Sequence, residues 1–170
     1  MKTPSFSFCP RCGHRYPKAP TDRFHLHCSA CSYTLHENLR TSVGALIVKG
    51  NQILLVKRAI APRKNTWDVP GGFTEPTEHP EQTVLREVQE ELGIACQVIR
   101  LFGVYAPNPY PYLGKTNYAC DLFYLVKPLN LKFTPADDIS ACRWFPLSQL
   151  PPSSQLAFPT TRQVLADLSV

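Results

Sequence analysis

Glu87, Glu90 and Glu91 fall at i, i+3 and i+4 in a stretch of helical periodicity, a spacing that puts three carboxylates on one helix face. Arg86, four residues before Glu90, lies at the edge of that face. Like charges so placed repel by about 0.2–0.5 kcal/mol per pair on a bare helix, and no lysine is interspersed to relieve them. A bound cation would remove the penalty. Hard divalent ions take oxygen ligands, and Mg²⁺ in particular takes one or two carboxylates together with phosphate oxygens and water. The chemistry these residues suit is therefore a divalent metal held against phosphate. The plain alternative is a solvated acidic face.

The elements that must position these groups can be read from caps and periodicity. His79 at the N-cap, Pro80 at the first helical position and Gly93 as a left-handed stop predict a helix from Pro80 to Leu92. Val84, Val88 and Leu92, with Leu85, form its buried stripe opposite the carboxylates. Ser42 to Lys49 and Gln52 to Arg58 read as apolar strands joined at Gly50-Asn51. Further strands are expected near Gln97 to Tyr105, Asn117 to Lys127 and Ile139 to Phe145, and a terminal helix over Thr160 to Leu168 turns Val164, Leu165 and Leu168 inward. Tyr105 to Tyr112, with proline at 107, 109 and 111, reads as a stiff loop whose rings stack on a base or pack as support.

Gly72, five residues, Glu78, seven residues, then Arg86-Glu87-Val88-Gln89-Glu90-Glu91-Leu92-Gly93-Ile94 matches the full signature of the Nudix hydrolases, with aliphatic residues at both required places. Thr66 to Gly72 resembles the family's strand into this box, and Arg143-Trp144-Phe145 its late strand. The resemblance covers most of the chain and implies an α/β/α sandwich with a mixed sheet over residues 41–170. It also implies a Mg²⁺- or Mn²⁺-dependent pyrophosphohydrolase acting on a nucleoside diphosphate linked to another group. By the same analogy Glu87 and Glu91 bind metal with the Gly71 carbonyl, and Glu90 is a further ligand or the catalytic base. Arg86 orients the carboxylates, while Asp137 and Asp138 are candidate bases from a loop outside the box. A complete box favours an enzyme over a module that only senses a nucleotide and uses its N-terminal segment to bind a partner.

The second constellation is Cys9-Pro-Arg-Cys12 and Cys28-Ser-Ala-Cys31, two C-x-x-C pairs with fifteen residues between them, the spacing of a zinc ribbon over residues 1–40. Four thiolates close a tetrahedral shell, so the zinc would be structural, and so short a segment needs such a staple. His14, His25 and His27 are weaker candidate ligands. The chain shows no secretory segment, and Cys96, Cys120 and Cys142 follow no pairing pattern, so zinc is expected rather than disulfides, in a cytoplasmic protein. Ribbons of this kind also precede the Nudix domain in NADH pyrophosphatases.

The 170 residues accommodate one standard domain and a small module, no apolar run approaches a membrane span, and a net charge of +5 favours anionic partners. A nucleotide substrate satisfies that charge as readily as RNA, so nucleic acid stays open without being favoured, and a homodimer stays open as well. Arg58, Tyr110 and Tyr112 are the candidate substrate contacts. In the family a proline about sixteen residues past the box glycine accompanies ADP-ribose hydrolysis, and Pro109 stands sixteen after Gly93. A tyrosine near that distance accompanies dinucleoside polyphosphates, and Tyr110 is next to it. The NADH pyrophosphatase motif S-Q-P-W-P-F-P-x-S is absent after the box. ADP-ribose-type substrates are therefore expected first, with dinucleoside polyphosphates or NADH as alternatives.

Overall fold

The structure, a computed structural model, describes residues 6–16, 25–36, 38–112 and 115–169, without the side chains of Tyr112 and Lys115. It divides into two compact units, Met1–Leu39 and Arg40–Val170. In the first, β1 (His25–His27) pairs antiparallel with β2 (Thr34–His36) beside a small core of Cys9, Tyr16, Leu26 and Cys28. Each C-x-x-C turn closes in the same way. The amides of Gly13 and Ser32 each donate to the carbonyl of the first cysteine of their pair at 2.9 Å, and both residues sit at positive φ.

The second unit contains β3 (Arg40–Lys49), β4 (Gln52–Arg58), β5 (Trp67–Asp68), α1 (Pro80–Leu92), β6 (Cys96–Tyr112), β7 (Lys115–Pro128), β8 (Ile139–Pro146) and α2 (Pro159–Leu168). Strand order is β5-β4-β3-β7-β6, with β8 pairing β4; β3 and β7 run parallel and the other pairs antiparallel, so the sheet is mixed. Both faces of β3 and β4 are covered, which is why these strands read as continuous apolar runs. Val43, Ala45, Ile47, Leu54 and Val56 pack with Val84, Val88 and Leu92 of α1, while Leu46, Ile53 and Leu55 pack with Val164 and Leu165 of α2. The α/β/α arrangement expected from the sequence is the one observed.

β3 and β4 pair only beside their turn, at Val48–Ile53 and Lys49–Gln52. Beyond that point the 70–74 segment takes over β3's open edge: Ala45 N donates to Pro70 O at 2.7 Å, Val43 N to Gly72 O at 2.9 Å, and Thr74 N to Thr41 O at 3.1 Å. The double glycine is thus bonded to a central strand.

The segment expected to be a loop, Tyr105 to Tyr112, instead continues β6 in register with β7 to the pair Tyr112–Lys115, after a shift between Tyr105 and Asn108. Proline argued against a strand there, but β6 is the sheet's edge. Pro109 and Pro111, two residues apart, present their missing donors to the same side, a loss that an edge strand tolerates.

Candidate active site

α1 begins and ends where its caps demand. His79 accepts from Glu81 N at 3.3 Å while Gln82 Oε1 accepts from His79 N at 3.0 Å, and Gly93 at φ 69° donates back to Gln89 O. The helix C-terminus is then tied to the next loop, since Thr134 N donates to Leu92 O and Ala136 N to Glu91 O. This fixes where Asp137 and Asp138 emerge. Asp138 lines the cleft described below, whereas Asp137, at φ 54°, is exposed and lines no part of it.

The three box glutamates do not share one environment. Glu90 is the outermost, with 46% of its side chain exposed, Glu87 is largely covered at 13%, and Glu91 is buried at 4%. Glu91 follows Val84 by seven residues and Val88 by three, so it belongs at the polar margin of the buried stripe rather than opposite it. Its Oε2 accepts from Gly71 N at 3.1 Å. The Gly71 contact to the box is thus made through its N–H. Gly72 presses against Glu87: a Cβ at residue 72 would meet Glu87 Oε1 at 2.4 Å, and one at residue 71, where φ is 152°, would meet Val43 O at 2.1 Å. A side chain at residue 71 would meet fixed backbone, whereas one at residue 72 would have to displace the Glu87 carboxylate.

Arg86 gathers the remaining carboxylates. Its Nε and Nη2 take both oxygens of Glu78 at 2.9 and 3.0 Å, and its Nη1 reaches Glu87 Oε1 and Glu90 Oε2, each at 2.9 Å. These bonds hold Glu78 down to about 2. Burial pushes Glu87 up against the pull of Arg86, and burial, with Asp138 and Glu87 nearby, pushes Glu91 well above the usual carboxylate range. Lysine cannot reproduce this fork, because its ammonium is a single point donor. Arg86→Lys should cost about 2 kcal/mol of stability and at least tenfold in turnover, measured by thermal unfolding and steady-state rates. Wild-type values for both would show that the fork is dispensable.

A raised carboxylate also has a signed effect on stability. The folded state holds a proton at Glu91 more tightly than the unfolded chain, whose value is near 4.5, so this contribution is full below that pH and is lost as pH rises through the folded value. Asp68, raised by burial to about 6 from 3.8, acts in the same direction. A cation beside the charged glutamates should offset the loss. We expect Mg²⁺ to raise the unfolding temperature by an amount that grows between about pH 5 and pH 8, and a pH-independent increment would contradict this account.

A cleft of about 420 Å³ abuts the glutamates, sharing Gly71 and Gly72 with them and including Asp138. Arg58 and Tyr110, two of the expected substrate contacts, line it; the side chain of Tyr112 lies outside the described residues. Tyr110 is buried and packs on Phe73 at 5.7 Å between ring centres, with the Arg40 guanidinium 3.9 Å over Phe73 from the cleft wall. Arg58 pairs with Asp68 at 3.8 Å and lies 5.3 Å over Phe158. The reading from sequence missed Arg40, Phe73, Phe158, Asp68, Asn108 and Asp121. A signal for one of them existed: an aspartate inside the apolar run Tyr118-Ala-Cys-Asp-Leu-Phe-Tyr124 is a flag for a buried, partnered carboxylate.

In the other unit the sulfurs of Cys9, Cys12, Cys28 and Cys31 all lie within 4.8 Å of one another, with Cys9–Cys31 at 3.7 Å and Cys12–Cys28 at 3.6 Å. A tetrahedron of Zn–S bonds of about 2.3 Å has edges of about 3.8 Å, so the donor set fits zinc. Among the described residues this is the only cluster so tightly gathered. His14 and His27 turn to Ser29 and Thr34, and His25 packs on His36. Cys96, Cys120 and Cys142 are free thiols in β6, β7 and β8.

Residues 38–168 match the NUDIX domain family, and the chain belongs to that family. It is a Nudix hydrolase. An ADP-ribose pyrophosphatase of Methanocaldococcus jannaschii is 32% identical over 126 residues, 74% of this chain and 71% of that protein. The NAD-capped RNA hydrolase NudC of Haemophilus influenzae is 31% identical over 156 residues, 88% of this chain. The chain spans 56% of that relative's length. The crystal structure of a NUDIX hydrolase from Nitrosomonas europaea superposes with a TM-score of 0.77 at 27% identity, covering 96% of this chain and 90% of that one. No helix among the described residues is long and apolar enough to cross a membrane.

Proposed function

We propose that this chain hydrolyses the diphosphate link of a nucleoside diphosphate joined to another group, with ADP-ribose-type substrates first. The observation that carries this is the junction at Gly71-Gly72, where carboxylates held by burial and by Arg86 meet a cleft walled by Arg40, Arg58 and aromatic rings. The ADP-ribose pyrophosphatase relative supports the substrate class.

The donor set fits a divalent metal. Glu87 is largely covered and Glu91 is buried, Glu87 adds to what raises Glu91, and carboxylates so placed are stabilised by a cation. Glu87, Glu91, Glu90 and the Gly71 carbonyl would hold Mg²⁺ or Mn²⁺, which when bound neutralises diphosphate charge and lowers the pKa of a water. Arg86 keeps Glu87 and Glu90 oriented. Arg40 and Arg58 line the cleft and attract an anionic substrate. Asp138, close enough to Glu87 and Glu91 to raise both and open to the cleft, takes the proton of the attacking water. Zinc in the four-thiolate cluster staples residues 1–39, the smaller of two domains.

A second reading, a dinucleotide such as NADH or an NAD-type RNA end, is favoured by the NudC relative. A panel of ADP-ribose, NADH, diadenosine polyphosphates, nucleotide sugars and NAD-capped RNA, with products resolved by ion exchange, decides between them. AMP and ribose 5-phosphate from ADP-ribose at the highest kcat/KM is the expected result. Binding without turnover across the panel would replace the enzyme by a sensor.

A further inference from the structure

The floor of the cleft carries a polar network that the hydrolytic chemistry does not use. Asp121 on β7 is buried and receives three donors: the Ser42 hydroxyl from β3, Asn108 Nδ2 from β6 at 2.7 Å, and the Thr160 hydroxyl from α2 at 2.5 Å. Beside it, buried Asp68 receives the Thr161 hydroxyl at 2.6 Å. The hydroxyl protons of Ser42, Thr160 and Thr161 are therefore all directed at carboxylates. What these residues leave to a ligand on the floor is acceptor capacity.

Asn108 gives that capacity a direction. Its Nδ2 faces a carboxylate oxygen of Asp121, so the amide orientation is set, since the flipped form would place two acceptors against each other. Its Oδ1 is consequently an acceptor. That atom is buried, on a residue only 6% exposed that lines the cleft, and has no hydrogen-bond partner among the described residues. A buried polar atom without a partner is uncommon and calls for one.

We infer that Asn108, held by Asp121, is a specificity-determining residue that accepts a hydrogen bond from the exocyclic amino group of the substrate's nucleobase, and so selects amino-bearing bases over keto ones. A carbonyl at the same place would set its oxygen against Asn108 Oδ1 with no proton between them. A site built to bond a donor rejects the analogue lacking it far more strongly than an apolar pocket does. Arg40 over Phe73 and Arg58 over Phe158 supply walls for a planar ring above this floor.

This inference rests on the proposed hydrolysis of nucleoside diphosphate conjugates, and the test separates the two. ADP-ribose and its hypoxanthine analogue, IDP-ribose, differ at the amino position in carrying N–H₂ or C=O. Wild-type protein should prefer ADP-ribose by about tenfold or more in kcat/KM. Asn108→Leu should bring the ratio close to one through KM on ADP-ribose, with kcat little changed, because the glutamates are untouched. Equal efficiency on both substrates in the wild type overturns the inference while leaving the hydrolase reading intact, and needs no variant to fold. An unchanged preference in a folded Asn108→Leu also overturns it. Turnover of neither substrate, nor of any other conjugate, removes the function and the inference together.

Discussion

Glu91→Gln should lower turnover by about two orders of magnitude or more without unfolding the protein. Glu91 is the most deeply buried of the box glutamates, and its one described donor is the Gly71 amide. Glutamine keeps the shape and the oxygen that accepts from that amide. What it removes is a negative charge that burial, Asp138 and Glu87 all disfavour. Thermal stability in the absence of Mg²⁺ should therefore stay level or rise, and the gain in stability on adding Mg²⁺ should shrink. Loss of rate with retained stability is the signature of a group kept for chemistry rather than for packing. Glu90→Gln should also lose about two orders of magnitude, although Glu90 is half exposed and bonded to Arg86. Wild-type turnover of Glu91→Gln at saturating Mg²⁺ would sink the metal-ligand assignment.

What could be read in the sequence was what local rules govern. His79, Pro80 and Gly93 marked the ends of α1 because caps act within a turn, and the C-x-x-C pairs are visible because each knuckle closes over four residues. The apolar runs of β3 and β4 announced a sheet covered on both faces. Non-local pairing was not legible. Asp121 meets Ser42 79 residues away, and Asp68 meets Thr161 93 residues away, so no window of sequence contains either bond. The prolines between Tyr105 and Tyr112 were misread for a related reason. Whether proline breaks a strand depends on whether that strand is an edge, which only the assembled sheet decides. The same holds for the roles of the glutamates: the helical wheel put them together, while burial of Glu91 depends on what the Gly71-Gly72 segment covers.

Removing zinc should produce the largest structural change available to this chain, and should confine it to residues 1–39. The small core there consists of Cys9, Tyr16, Leu26 and Cys28, with Cys31, Tyr33 and Leu35 packed against it, so three of its seven members are proposed ligands. A segment this short has little else to hold it, and structural zinc sites contribute about 10–16 kcal/mol of apparent binding energy that is also folding energy. The cores of the Nudix unit, by contrast, are built wholly from residues 43–168. Purified full-length protein should contain one zinc per chain by elemental analysis. Chelation should make the segment before Arg40 susceptible to protease while the larger unit still unfolds cooperatively, and excess Mg²⁺ afterwards should restore metal to the glutamates but not the protected N-terminal unit. Cys28→Ser, which removes the most buried thiol, should reproduce the protease sensitivity without chelator. Protein purified without chelator that contains no zinc, or an N-terminal unit equally protease-resistant after zinc removal, would mean that the thiols are not a metal site.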